Sequence, residues 1–160
     1  MSAARLEFRR MTVDDLDEVM RVEQDVYEFP WSSRIFSDCI RVGYHCWLAL
    51  YQDEVIGHAV ISIVADESHM LNLSIGSDWQ GQGFGAEFVD FLVEEARCQQ
   101  ANTMLLEVRP SNTIAINCYN RAGFNEIGTR KNYYPATDGR EDALLLAKHI
   151  RPEAEATGTD

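Results

Sequence analysis

Gln80-Gly81-Gln82-Gly83-Phe84-Gly85 stands between an extended apolar segment and a run with helical periodicity. Three glycines at alternate positions allow a tight turn and let main-chain N–H groups approach a ligand with no Cβ in the way. Beyond them Phe84, Phe88, Phe91, Leu92 and Ala96 recur on one helical face. A glycine loop that opens a helix is an anion site, because the unpaired N–H groups and the helix dipole point the same way. The pattern predicts a bound diphosphate; the flanking segments bear on which cofactor carries it.

Upstream of the loop, residues 47–51 and 55–65 read as strands joined by the polar turn Gln52-Asp53-Glu54, and residues 69–75 as a further strand. Residues 6–9 form a short first strand. Thr12 then caps a helix whose stripe is Leu16, Val19, Met20, Val26 and Tyr27. Phe29-Pro30-Trp31-Ser32 breaks that helix, and Ser32 or Ser33 caps a second one through about Arg41. Downstream, residues 103–108 are a strand ended by Pro110, and Ser111 or Asn112 caps a helix with the stripe Ile114, Ala115, Cys118, Tyr119 and Ala122. Gly123 closes it. Residues 124–129 and 143–147 read as closing strands separated by a long polar loop over residues 130–142. The order predicts an α/β fold with a mixed, mostly antiparallel sheet and one parallel crossover around the glycine helix. Residues 1–150 are expected to make one domain and residues 151–160 a disordered tail.

Composition narrows the function. The 160 residues are 46% hydrophobic and 25% charged, as in ordinary globular proteins. No apolar run reaches the roughly 18 residues a membrane span needs, and the first residues lack a secretion signal, so a cytoplasmic, membrane-free protein is expected. Cys39, Cys46, Cys98 and Cys118 form no Cys-x-x-Cys pair, and His45, His58 and His69 lack ligand spacing, so no metal is expected. The net charge of −12 argues against direct nucleic-acid binding and suits a cationic partner or mere solubility. Oligomeric state is not legible.

Two motifs compete for the loop. Gly81, Gly83 and Ala86 satisfy the dinucleotide fingerprint G-x-G-x-x-[G/A], with Glu107 where the ribose acid would fall. In that fold, however, the fingerprint follows the first strand, and here it follows the fourth. The alternative is Q/R-x-x-G-x-G/A over Gln80, Gly83 and Gly85, followed by N-x-x-A-x-x-x-Y-x-x-x-G-F over Asn112, Ala115, Tyr119, Gly123 and Phe124. In this order, with a strand between them, the two resemble the GNAT superfamily of N-acetyltransferases across nearly the whole chain. Phe29-Pro30-Trp31-Ser32, Leu106-Glu107-Val108-Arg109 and Asn132-Tyr133-Tyr134-Pro135 are similar, more narrowly, to the ribosomal-protein-alanine N-acetyltransferases. Gln80 and Ala86 depart from the superfamily, which often has basic residues there.

The resemblance implies a seven-stranded sheet flanked by four helices and acetyl-CoA as cosubstrate. It implies transfer to the N-terminal alanine of a small-subunit ribosomal protein. The alternatives are a lysine side chain, a small-molecule amine, or a non-catalytic acetyl-CoA-binding module. Gln80, Gly81, Gln82, Gly83, Phe84, Gly85 and Ala86 would hold the diphosphate; Leu73, Ser74 and Ile75 would pair with the pantetheine through their main chain, and Asn112 through its side chain. Glu107 interrupts an apolar strand, which is costly unless the carboxylate is paired or functional. Its spacing allows an ion pair with Arg109, and the resemblance implies the catalytic base. Tyr119 lies on a core stripe, and the resemblance implies the acid that protonates the thiolate. Phe29, Trp31, Tyr133 and Tyr134 would clamp the substrate. Cys118 reads as a small core hydrophobe, so direct transfer is expected.

Overall fold

The computed structural model describes residues 5–150, so the tail expected over residues 151–160 lies outside the described residues. Seven strands run β1 (Glu7–Arg10), β2 (His45–Tyr51), β3 (Glu54–Val64), β4 (Glu67–Ile75), β5 (Thr103–Val108), β6 (Asn125–Ala136) and β7 (Gly139–His149). Four helices are α1 (Leu16–Val26), α2 (Ser33–Arg41), α3 (Phe84–Cys98) and α4 (Thr113–Arg121). The sheet order is β1-β2-β3-β4-β5-β7-β6, and β4 and β5 are parallel. The chain clusters into two compact units, one of residues up to Ser62 with Leu71–Phe88, the other of Ile63–Met70 with residues from Val89 on.

In the first unit the caps act where the side-chain chemistry puts them. Thr12 and Asp15 form a reciprocal capping box on a 3-10 turn ahead of α1, and Ser32 accepts from the Ile35 N–H to start α2. Such a cap contributes about 1 kcal/mol. Gln52 and Asp53 turn β2 into β3 with φ of 50° and 70°, as a two-residue hairpin with a matching twist requires. Met11, Val19, Phe36, Cys39, Cys46, Leu48, Val55 and Val60 form the core. Within it lies a polar hub the apolar stripe does not announce. Glu23, 1% exposed, accepts from the Trp31 N–H at 3.0 Å and lies 2.9 Å from His58 Nε2, with Asn72 Nδ2 and Ser74 Oγ at 3.3 Å.

In the second unit β5 alternates half-buried Thr103, Leu105 and Glu107 with buried Met104, Leu106 and Val108. Its ladder with β4 pairs Glu67↔Thr103 through Met70↔Leu106. Asn112 caps α4 by accepting from the Ala115 N–H, and Gly123 ends it at φ 97°. Two expectations need correction. Ile114 is 72% exposed and is not on the buried stripe. Residues 130–142 are not a long loop: β6 and β7 form one extended hairpin closed at Thr137-Asp138, with a register shift between Arg130 and Tyr134. Residues 130–135 are exposed or half-exposed without a strict alternation, so no hydrophobic period marks the strand.

Candidate active site

The glycine loop adopts the backbone its composition predicts. Gly81 and Gly83 have φ of 79° and 88°, a region other residues enter only with strain. The Gly83 carbonyl accepts from the Glu87 N–H, so the chain enters α3 directly from the loop. The first N–H groups of such a helix have no partner within it. The Phe84 side chain is buried, its ring 5.3 Å from Tyr51 and 6.2 Å from Trp79, which leaves only its main chain for a ligand. The Gln80 side chain turns back and donates to the Ile75 carbonyl at 2.8 Å, tying the loop to the end of β4. Arg5 supplies a cation that the motif did not reveal. It donates to the Gln82 carbonyl at 2.5 Å and lies 4.3 Å from the Phe84 ring centre. Its guanidinium Nε also lies 3.8 Å from the Glu87 carboxylate. The positive-φ main chain and the neighbouring guanidinium together fit a diphosphate.

At the end of β4 the Leu73 carbonyl accepts from the Tyr27 hydroxyl at 2.5 Å, and the Ser74 side chain reaches Glu23. A Cβ on Gly57 would stand 2.5 Å from the Ser74 carbonyl oxygen, so glycine alone permits this approach of β3. The Leu73 and Ile75 carbonyls and the Ser74 side chain are thus engaged within the protein. Trp31 packs on Phe36 at 5.1 Å, and Phe29 is 39% exposed.

The second unit gathers the titratable groups. Glu107 does not pair with Arg109, contrary to the ion pair its spacing allows. Its Oε1 lies 2.6 Å from His69 Nε2, and its Oε2 accepts from Arg130 Nε at 2.9 Å. Arg109 pairs instead with Glu141 at 3.0 Å and lies 4.4 Å from the Tyr134 ring centre. Burial pushes the Glu107 carboxyl up, but the His69 contact and the Arg130 guanidinium outweigh it and hold the group below the ordinary carboxylate range. Tyr119 is buried on α4, edge-on to Phe124, and its hydroxyl donates to the Met70 sulfur at 3.8 Å. Burial raises the Cys118 thiol, which fits a packing residue rather than a thiolate nucleophile. Tyr133 and Tyr134 meet edge to face at 4.8 Å beside Arg130 and Arg109.

Histidine spacing along the chain bears on His69 only as a metal ligand. Its contact with Glu107 depends on the parallel register that sets His69 beside Leu105, and no spacing along the chain encodes that. No group of three His, Cys, Asp or Glu able to hold a metal occurs among the described residues. None of their helices is long and apolar enough to cross a membrane.

Residues 10–124 match the family model described as Acetyltransferase (GNAT) family. The chain belongs to the GNAT acetyltransferase family. It is 37% identical over 136 residues to the [ribosomal protein bS18]-alanine N-acetyltransferase of Escherichia coli K12, covering 85% of this chain and 92% of that one. The corresponding enzyme of Salmonella typhimurium is 34% identical over 140 residues, 88% of this chain and 95% of that protein. The crystal structure of the Escherichia coli ribosomal-protein-S18-alanine N-acetyltransferase superposes with a TM-score of 0.85 at 34% identity, covering 92% of this chain and 95% of that one. Ard1 from Thermoplasma volcanium, at 22% identity and a TM-score of 0.83, shares the fold. This GNAT domain is an acetyl-CoA-dependent N-acetyltransferase, and the dinucleotide reading of the glycine loop is set aside.

Proposed function

We propose that the enzyme acetylates the N-terminal α-amine of a small-subunit ribosomal protein whose first residue is alanine. The observation that carries this reading is similarity to the bS18-alanine enzymes over most of both chains, at 37% identity over 136 residues. The net charge of −12 suits a basic ribosomal tail as the substrate.

Acetyl-CoA supplies an activated acyl group and a thiolate that can leave. Main-chain N–H groups of residues 81–86, with Arg5, hold its diphosphate, and the main chain of Leu73, Ser74 and Ile75 with the Asn112 side chain holds its pantetheine. Phe29, Trp31, Tyr133 and Tyr134 fix the substrate's first residues. An N-terminal amine, with a reference pKa of about 7.7–8.0, is already partly neutral near pH 7, so the base has modest work. Glu107 supplies the negative charge of that base. Tyr119, a phenol beside a sulfur atom, supplies the proton for the departing thiolate. Transfer is direct, and it takes place in the cytoplasm.

Mass spectrometry of ribosomal proteins incubated with the enzyme and acetyl-CoA tests this. One acetyl group gained on one N-terminal peptide beginning with alanine is the expected result. Acetylation confined to lysine side chains or to small amines would overturn it.

A further inference from the structure

Both oxygens of Glu107 are engaged, and the carboxylate side chain is 6% exposed, against 27% for its partner His69. The accessible end of the pair is therefore the imidazole. Because Glu107 is held below the ordinary carboxylate range, it is ionised and can only accept hydrogen bonds. The proton of the 2.6 Å contact then belongs to His69 Nε2, and the lone pair of the neutral ring is on Nδ1. Nδ1 has no hydrogen-bond partner among the described residues. Arg130 and Tyr133 of β6 also face the carboxylate, and its β7 neighbour in register is the apolar Leu145.

We propose that His69 is the proton acceptor of the reaction, through Nδ1, with Glu107 as the carboxylate that fixes its tautomer and orientation. This rests on the reading that proton acceptance occurs at the Glu107 end of the site. The chemistry favours it. Handing a proton from an α-ammonium group to an ordinary carboxylate is uphill by more than three orders of magnitude, and a depressed carboxylate makes this worse. A buried carboxylate behind the ring stabilises the imidazolium as it forms. The steps balance. The amine proton passes to Nδ1, directly or through one water, and the amine lone pair forms the C–N bond as the C–S bond breaks. Tyr119 protonates the sulfur. After the C–N bond forms, the nitrogen sheds its second proton, which restores Tyr119 by way of solvent, and His69 releases its proton to solvent, leaving amide, thiol and one proton.

His69→Gln is the informative variant, because its amide can still donate to Glu107 but has no basic nitrogen to take up a proton in place of Nδ1. With an alanine-initiated basic peptide, kcat/KM should fall about a hundredfold and the acidic limb of its pH profile should disappear. Acetyl-CoA affinity should stay unchanged. Activity within threefold of wild type with the same limb would overturn the proposal. So would ¹⁵N NMR of the wild-type enzyme showing the proton of neutral His69 on Nδ1 rather than Nε2. Loss of turnover in Glu107→Gln with His69→Gln unaffected would make the carboxylate itself the acceptor and defeat this inference alone. Full turnover in both variants would instead defeat the placing of proton acceptance at this end of the site.

Discussion

The Tyr119 hydroxyl donates to the Met70 sulfur at 3.8 Å, on the face of the sheet opposite to Glu107. Met70 pairs in register with Leu106, and Leu106 and Glu107 are successive residues of β5, so their side chains leave the sheet on opposite sides. The proposed acid and the carboxylate that orients the proposed proton acceptor are thus held apart by the strands themselves. Neither can neutralise the other, and each can keep the protonation state its role needs. A thioether is also a weak acceptor, so trading it for a thiolate strengthens the tyrosine's hydrogen bond.

Tyr119→Phe should lower kcat about a hundredfold or more, measured by thiol release, while calorimetric binding of acetyl-CoA is retained. The ring keeps its packing on Phe124, 5.7 Å away, so the melting temperature should move little. An equal loss of binding and turnover would make Tyr119 a residue that holds the cosubstrate rather than an acid.

Gly83→Ala tests the loop. At φ 88° a Cβ is strained, and it would stand 3.1 Å from the Arg5 guanidinium. The expected cost is about 1 kcal/mol of stability. The KM for acetyl-CoA should rise about tenfold, with the KM for peptide unchanged. An unaltered acetyl-CoA KM would show that this main chain does not hold the diphosphate.

Much of this was legible from local chemistry. Ser32, Asn112 and Gly123 announce helix ends because their side chains, or the lack of one, act within a few residues. What was not legible depends on partners distant in the chain. Arg5 meets the glycine loop 77 residues later, and Glu107 selects His69 and Arg130 over the nearer Arg109 because register decides which charges face it. The hairpin of β6 and β7 was hidden for another reason: its outer half buries neither face, so pairing rather than hydrophobic period makes it a strand.

Glu23 should prove the costliest single site in the first unit. It takes hydrogen bonds from the Trp31 main chain and from Asn72 and Ser74, and contacts His58, all with almost no access to water. Glu23→Ala strands these groups, and losing one partner of such a buried set costs about 3–5 kcal/mol. Denaturant unfolding checks this. Glu23→Gln, which keeps one acceptor oxygen, should recover part of the loss, and a variant as stable as wild type would show that the hub is not a support for the turn at Trp31.

Glu107 should leave its mark on acid stability. Burial alone would raise its carboxyl, but the His69 contact and Arg130 lower it below the ordinary 4.5. Between the native and unfolded values the unfolded chain binds more protons, so stability rises with pH across that window. The contribution is fully present above the unfolded value and is lost as pH falls through the lower native one. In urea titrations the stability gap between wild type and Glu107→Gln should be constant down to about pH 5 and shrink progressively below it. A gap that stayed constant through pH 3 would mean that the native carboxylate is not held by these partners, and the imidazole would then lack the charge that fixes its tautomer.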